Sequence, residues 1–351
     1  MTSIPATYHA YRRTTGPSPQ TIERVTEPTP TQLAPTAVLI RIRAVALNYR
    51  DVAMLHGAYP VPVIEGGVPA SDCAGEVVKV GAGVTAVKVG DRVAPIFDLN
   101  AVEGSKEPNP RALGGDVDGV LRQFAVFEEK TLAPLPAYLS WEEASTVTCA
   151  GVTAWNALNL PHSANKGTTA LLQGTGGVSS FALLLCLAAN ITPVLTSSSD
   201  AKLDAARALA GDRPMHTVNY KTHAAWGGEV QRLTQNRGAD VVLENGGPAT
   251  IEQSLAALAR RGTISLIGFL GGMAPDAPEP KVLLPLLVKS GRLQSIYVGS
   301  WRDQVALGRF LEEHHVKLDK IIDGVFEFDE AEKAFERLWS GKHQGKIVIR
   351  V

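Results

Sequence analysis

A chain of 351 residues that is 45% hydrophobic and 20% charged has ordinary globular composition and is too long for one small core, so two domains are expected. Its net charge of −1 leaves no basic excess to displace counterions from a polyanion, which argues against nucleic acid as a partner. Cys73, Cys149 and Cys186 are odd in number and far apart with no CxxC pair, which argues against a disulfide framework and fits a reducing compartment.

In chain order, Tyr8–Tyr11 reads as a first strand. The stretch before it lacks the apolar core of a signal peptide. Arg12 and Arg13 after a Ser/Thr-bearing start hint at a transit peptide, but the strand reading is preferred and a cytoplasmic location is expected. Val38–Val45 alternates apolar and polar residues and leads into LNYRDVAM (47–54), where Asn48, Tyr49, Arg50 and Asp51 look like the polar rim of a site just past a strand. Short valine-rich strands follow in 75–97, punctuated by Gly81, Gly83 and Gly90-Asp91, and another is expected in 119–127. Residues 98–118 read as loop, so the first 140 residues form a compact β domain.

The rhythm changes at Ser140-Trp141-Glu142-Glu143, which has capping-box spacing and predicts a helix start. Apolar strands are then expected at 168–173, 192–196, 216–219, 240–243 and 263–268, with helices at 177–189, 200–210, 224–236 and 249–259. That alternation implies an α/β domain with a parallel sheet covered on both faces. A strand at 293–299 ends this region. Helices at 301–314 and 329–340 and a strand at 346–351 read as a return to the β domain. The apolar runs 181–189 and 282–288 are too short to cross a bilayer, so no membrane partner is expected.

The strongest chemical signal is LLQGTGGVSSFALLLCLAA (171–189). A buried strand runs into Gly174-Thr175-Gly176-Gly177 and then into an apolar helix, the arrangement that brings backbone amides to a pyrophosphate. Ser179 stands where a third glycine is usual, and a glycine turn in any α/β protein is the plainer alternative. About 20 residues on, where an NAD site has a carboxylate for the ribose, this chain has Thr196-Ser197-Ser198-Ser199 with Lys202 a turn later. Hydroxyls and an ammonium suit the 2′-phosphate of NADPH, and NADPH is preferred over NADH. Ser199 or Asp200 capping the helix, with Lys202 solvated, is compatible with that reading.

Several stretches together resemble the medium-chain dehydrogenase/reductase superfamily, on its zinc-independent, quinone oxidoreductase-like and enoyl reductase-like side. They are NYRD (48–51), SDCAGEVVKVGAGVTAVKVGDRV (71–93), CAGVTAWNAL (149–158), GTGGVSSFAL (174–183), TSSSDAKL (196–203), VNYK (218–221), RGTISLIG (261–268) and GKIVI (345–349). The resemblance implies a GroES-like (chaperonin-10-like) catalytic domain begun by 1–150, a Rossmann NADP(H)-binding domain at 151–300, and a return at 301–351. It also implies a cofactor in the cleft and a homodimer paired through strand 295–300. Carried over residue by residue, it puts Gly174, Gly176, Gly177 and Val178 at the pyrophosphate and Ser197, Ser198 and Lys202 at the 2′-phosphate. Tyr220 would lie at the adenosine phosphate edge and Asn245 and Gly246 on the adenine-ribose path. Thr153, Leu270 and Gly271 would flank the nicotinamide, and Lys346, counted with the cofactor-binding residues, would close the cleft from the tail.

The zinc ligands of metal-dependent relatives align with Asn48, Ser71 and Cys149, of which only the cysteine is a usual zinc ligand, and 95–120 contains no cysteine for a structural zinc. No zinc is expected, and Cys149 reads as a packed residue. Hydride acceptors that are already electron-poor remain accessible: quinones, enones or enoyl thioesters, as small-molecule substrates reduced by NADPH. Tyr59, in HGAYP, matches a tyrosine that binds or protonates substrate in related enoyl reductases, and a phenol can donate at neutral pH. Tyr59 packed beside Pro60 and Pro62 is the competing reading. Tyr49 and Arg50 are further candidates, Arg50 equally as a salt-bridge partner of Asp51, and His56 reads better as a loop histidine than as an acid. A non-catalytic NADPH-binding sensor and a zinc alcohol dehydrogenase are the alternative functions.

Overall fold

The computed structural model describes residues 4–104, 109–163, 167–272 and 279–351. Residues 105–108 of the expected 98–118 loop lie outside that set. The described chain forms two units, one made of Met1–Val152 and Gly299–Val351, the other of Thr153–Val298.

The first unit begins with a hairpin of β1 (Thr7–Arg13) and β2 (Ile22–Pro28), then β3 (Ala37–Ala46) and a helix α1 (Tyr49–Leu55). LNYRDVAM is therefore helical from Tyr49 onward, where the sequence suggests a polar rim just past a strand and no helix. Asp51 Oδ2 accepts the Asn48 amide at 2.8 Å, closing the helix start, while Val52–Leu55 turn into the core. There follow β4 (Asp72–Val80), β5 (Arg92–Pro95), β6 (Phe124–Glu128), β7 (Leu132–Pro134) and α2 (Trp141–Ala144). The capping box at Ser140 forms as its spacing predicts: the Ser140 hydroxyl accepts the Glu143 amide, and the Glu143 carboxylate accepts that of Ser140.

In the second unit α3 (Val152–Ala157) leads to β8 (Thr169–Gln173), α4 (Gly177–Ala188), β9 (Thr192–Ser197), α5 (Asp200–Ala210), β10 (His216–Asn219) and α6 (Trp226–Leu233). Then come β11 (Ala239–Glu244), α7 (Ile251–Ala257), β12 (Leu258–Leu266), α8 (Leu283–Val288) and β13 (Arg292–Ser295). Among the described residues these strands make a six-stranded parallel sheet of order β10-β9-β8-β11-β12-β13. Leu171, Val194, Val218, Val242 and Ile264 pack with Trp226, Val230, Ile251 and Leu255 as its core. The chain steps outward from β8 in one direction through β9 and in the other through β11. The switch point, where α/β sheets bind ligands, therefore lies past the C-terminal ends of β8 and β11.

The strand expected at 293–299, and with it the pairing strand 295–300, is shorter than the sequence suggests. β13 stops at Ser295. Ile296 still donates to Leu266 O, but Val298 takes a φ of 53°, a left-handed conformation a β-branched residue rarely adopts, and its carbonyl accepts Asn156 Nδ2 at 2.8 Å.

The chain then returns to the first unit through α9 (Trp301–Glu313), β14 (Ile322–Glu327), α10 (Ala331–Trp339) and β15 (Lys346–Arg350). β15 lies between β14 and β3 in a sheet of order β14-β15-β3-β4-β5-β7, with β6 also on β3. Ile347 and Ile349 of β15 join Ile40, Ile42, Val45 and Leu47 in its core.

Candidate functional site

In the second unit the site is built on the switch point. Gly174 leaves β8 with a φ of 76°, a conformation that favours glycine, and the space where its Cβ would stand is open, as it is over Gly176. Gly176 is the N-cap of α4 and has no side chain to cap the helix, so the first-turn amides of Gly177 and Val178 are left to an external acceptor. An open glycine turn feeding an uncapped helix of twelve residues fits a pyrophosphate.

Ser179, the departure from the three-glycine pattern, has a structural task. Its hydroxyl donates to Gln173 O at 2.7 Å and accepts Asn245 Nδ2 at 3.1 Å, tying the first turn of α4 to the ends of β8 and β11. Asn245 also gives its backbone amide to Gln173 Oε1, and Gly246 donates to Gln173 Oε1 and Glu244 Oε1. The carboxylate of Glu244, fully buried, takes further donors from Gly247 N, Thr250 Oγ1, Ser254 Oγ and Gln173 Nε2. The sequence reading missed Gln173 and Glu244. Their signal was present: each is the polar residue that ends a buried apolar strand, TTALLQ and DVVLE, and the pairing Leu172↔Leu243 makes them neighbours.

Ser197 ends β9 opposite Asn219, and Tyr220 donates its backbone amide to Ser197 O, so Ser197, Ser198 and Tyr220 gather at one sheet end. Ser199 caps α5 by accepting the Lys202 amide at 3.4 Å, and Asp200 Oδ1 accepts Asn219 Nδ2 at 2.8 Å. Lys202 is half-buried in that first turn and Tyr220 is exposed. Leu270 N bonds Asn245 O and Gly271 N bonds Gly246 O, both at 2.9 Å, which holds the 270 loop on the end of β11. A side chain at Gly271 would meet Gly246 O at 2.8 Å, so the loop approaches that closely only with glycine. Leu270 is exposed beyond this contact, and Thr153 is buried.

In the first unit the rim residues come from α1 and the tail. Lys346 opens β15 and is only 2% exposed. Its Nζ contacts Asn48 Oδ1 at 2.6 Å, Leu47 O at 2.7 Å and Asp72 Oδ2 at 3.6 Å. The sequence reading had placed Lys346 at the cofactor; the described contacts of its ammonium are all with the first unit. Asp72, another residue the reading passed over, accepts Ser71 Oγ on Oδ1 and the Cys149 amide on Oδ2. Asn48 stays partly exposed, with Nδ2 at 3.5 Å from Ser71 Oγ.

Arg50 donates to Leu113 O at 2.8 Å and lies over the rings of Phe97 and Tyr59, 4.8 and 5.4 Å from their centroids. Its Nε is 3.5 Å from the half-buried Tyr59 oxygen. A guanidinium only donates, so the phenol accepts this long contact and keeps its own proton for another acceptor. Asp51 is buried, its Oδ1 accepts no hydrogen bond from the described residues, and burial pushes its carboxyl up to about 6, with the Arg50 guanidinium 3.9 Å away offsetting part of that. Tyr49 is exposed. His56 packs edge-on against Trp339, 3.7 Å between ring centroids.

The residues at the aligned metal positions do not fit zinc. Asn48 offers a carboxamide whose oxygen already accepts an ammonium, Ser71 a hydroxyl committed to Asp72, and Cys149 a thiol that burial first, and Asp72 second, push up to about 12. Among the described residues no group of three or more His, Cys, Asp or Glu converges to hold a metal ion.

Two family models match the chain. One, described as an alcohol dehydrogenase GroES-like domain, covers residues 34–137, and the other, described as a zinc-binding dehydrogenase, covers 177–313. A zinc-type alcohol dehydrogenase-like protein of Schizosaccharomyces pombe is 38% identical over 329 residues, 92% of this chain and 93% of that one. A quinone oxidoreductase of Pseudomonas aeruginosa is 31% identical over 280 residues, 78% of this chain and 77% of that one. The crystal structure of a putative alcohol dehydrogenase from Sinorhizobium meliloti superposes with a TM-score of 0.90 at 35% identity, covering 99% of this chain and 100% of that one.

Proposed function

The chain belongs to the medium-chain dehydrogenase/reductase superfamily, an oxidoreductase family, and on that premise we propose that it reduces quinones or activated C=C bonds with NADPH and without zinc. The observation that carries this reading is the chemistry at Asn48. Where metal-dependent relatives place a ligand, this chain has a carboxamide held by a lysine, so the rim offers hydrogen-bond donors in place of a Lewis acid. Such donors suit acceptors that are already electron-poor.

When bound, the dinucleotide supplies a hydride. The amides that follow Gly174 bind its pyrophosphate, and Ser197, Ser198 and Lys202 bind the 2′-phosphate, with Tyr220 beside them. Thr153, Leu270 and Gly271 border the nicotinamide. Asn245 and Gly246 act through the network that holds the loop. Asn48 donates a hydrogen bond to the substrate oxygen, Tyr59 supplies a proton, and Tyr49 and Arg50 shape the rim.

The test is NADPH oxidation across a panel of quinones, enones, enoyl thioesters and aldehydes, with metal analysis of the purified protein. Turnover of quinones or enones that survives chelator is expected; stoichiometric zinc with alcohol oxidation would overturn the reading. The names of several relatives favour that second reading, and the donor set at Asn48, Ser71 and Cys149 opposes it.

We also infer a homodimer. The face of α8 leaves Leu283, Leu284, Leu287 and Val288 exposed, 84% in the case of Leu283, beside the edge strand β13 with exposed Leu293. An apolar face next to a strand edge that no described residue pairs is suited to a second copy of itself.

A further inference from the structure

We propose that Lys346 is the positioning residue of an oxyanion donor: its ammonium clamps Asn48 Oδ1, so that Asn48 Nδ2 is presented to the substrate oxygen that becomes negative during reduction. The inference rests on the reductase reading above and assigns the group that replaces the metal's charge.

The orientation of the Asn48 amide follows from chemistry. A lysine ammonium carries three donors and no acceptor, so the atom 2.6 Å from Nζ is the amide oxygen and the nitrogen faces the other way. Nδ2 then meets Ser71 Oγ at 3.5 Å, a long contact. The Ser71 hydroxyl already spends its proton on Asp72 Oδ1 at 2.6 Å. Lys346, Ser71 and Asp72 are all buried, and Asn48 is the member of the set that reaches solvent. A buried ammonium is costly without a counter-charge, and Asp72 at 3.6 Å supplies it. The ammonium is a full ångström closer to Asn48 than to that counter-charge, so it polarises the amide of this partly exposed residue, whose NH2 group has two donors and only the long contact with Ser71 Oγ to use one of them.

The step it serves balances simply. As a hydride adds to the β-carbon of an enone, the C=C pair moves toward the carbonyl carbon and the carbonyl pair moves onto oxygen. The substrate gains two electrons and the nicotinamide loses them. Asn48 Nδ2 donates to the enolate oxygen, and a proton then reaches the α-carbon from Tyr59 or from solvent through it. A donor fixed before the reaction lowers the barrier because it does not reorganise when charge appears.

The test compares wild type with Lys346→Met, Asn48→Ala and the double variant, over enones that differ only in an electron-withdrawing substituent. NADPH affinity is read separately by its fluorescence. Lys346→Met is expected to lower kcat on the order of 100-fold and to leave the NADPH Kd within about twofold. Rate should also depend more steeply on the substituent, because the substrate must then carry the charge itself. The double variant should be no slower than the worse single one. Unchanged kcat, an unchanged substituent slope, or a loss matched by weaker NADPH binding overturns the proposal, the last returning Lys346 to the cofactor. If Lys346→Met does not fold, Asn48→Ala, which leaves the ammonium on Leu47 O and Asp72, carries the same slope test. A wild type with no turnover on any acceptor overturns the reductase reading itself, a result distinct from an active wild type with an equally active Lys346→Met.

Discussion

Gln173 and Glu244 end two adjacent parallel strands and are joined side chain to side chain, Gln173 Nε2 donating to Glu244 Oε2 at 2.8 Å. Both lie under the glycine turn, and through Asn245 and Ser179 they set where that turn can sit. A Glu244→Gln substitution puts an NH2 group against donors, whichever way the amide is turned. Leaving buried donors unmatched should cost roughly 2–4 kcal/mol, read as a lower midpoint in urea unfolding. NADPH affinity should fall with it. Unchanged stability would mean that the network re-forms around an amide and does not depend on the carboxylate.

Lys202 sits in the first turn of α5, one turn from the serine run that ends β9. If it meets a 2′-phosphate, Lys202→Ala removes a charge-assisted hydrogen bond and weakens NADPH by about 10- to 100-fold while changing NADH by less than about twofold. Titration of both cofactors by fluorescence decides it. Equal losses would withdraw the 2′-phosphate assignment.

Asp51 makes stability depend on pH in an unusual direction. Its carboxyl is raised in the folded protein from 3.8 to about 6, chiefly by burial. Between those values the folded state holds a proton that the unfolded state has released, so stability is fully present below about pH 4 and falls as pH rises through about 6. The shift corresponds to about 3 kcal/mol. An Asp51→Asn variant has no such penalty. Its melting temperature relative to wild type should climb from pH 4 to pH 7 and then level. A constant difference across that range would show that the carboxyl titrates normally.

On the α8 face, Leu287 is 75% exposed. Leu287→Glu should convert a dimer to a monomer in light scattering without loss of secondary structure. A wild type that is monomeric at micromolar concentration would remove the dimer proposal.

Local signals were legible where one stretch decides its own structure. The Ser140 capping box, the strands β8, β9, β10 and β11 and the glycine turn lie where the sequence placed them, whereas β12 starts at Leu258, before the strand expected at 263–268 and within the helix expected at 249–259. The start of α1 was missed although Asn48 and Asp51 have cap spacing, because four polar residues after a strand resemble a loop equally well. The end of β13 was missed because nothing in LQSIYVG announces that Val298 turns left-handed; the carbonyl it presents to Asn156 is a tertiary demand. The contact of Lys346 with Asn48 joins residues 298 apart, and periodicity carries no information at that range.

That distance also bears on how the molecule is made. β15 is an inner strand, bonded to β14 on one side and to β3 on the other, and β3 is near the start of the chain. The second unit is one continuous stretch and can close as soon as it leaves the ribosome, whereas in the first unit β6 covers only Ala37–Arg41 on that side of β3, and Ala44–Ala46 wait unpaired there until residues 346–350 emerge. Asn48 acquires its ammonium at that same moment, so a chain released before β15 would lack both the seam of its first sheet and the polarised amide of its rim.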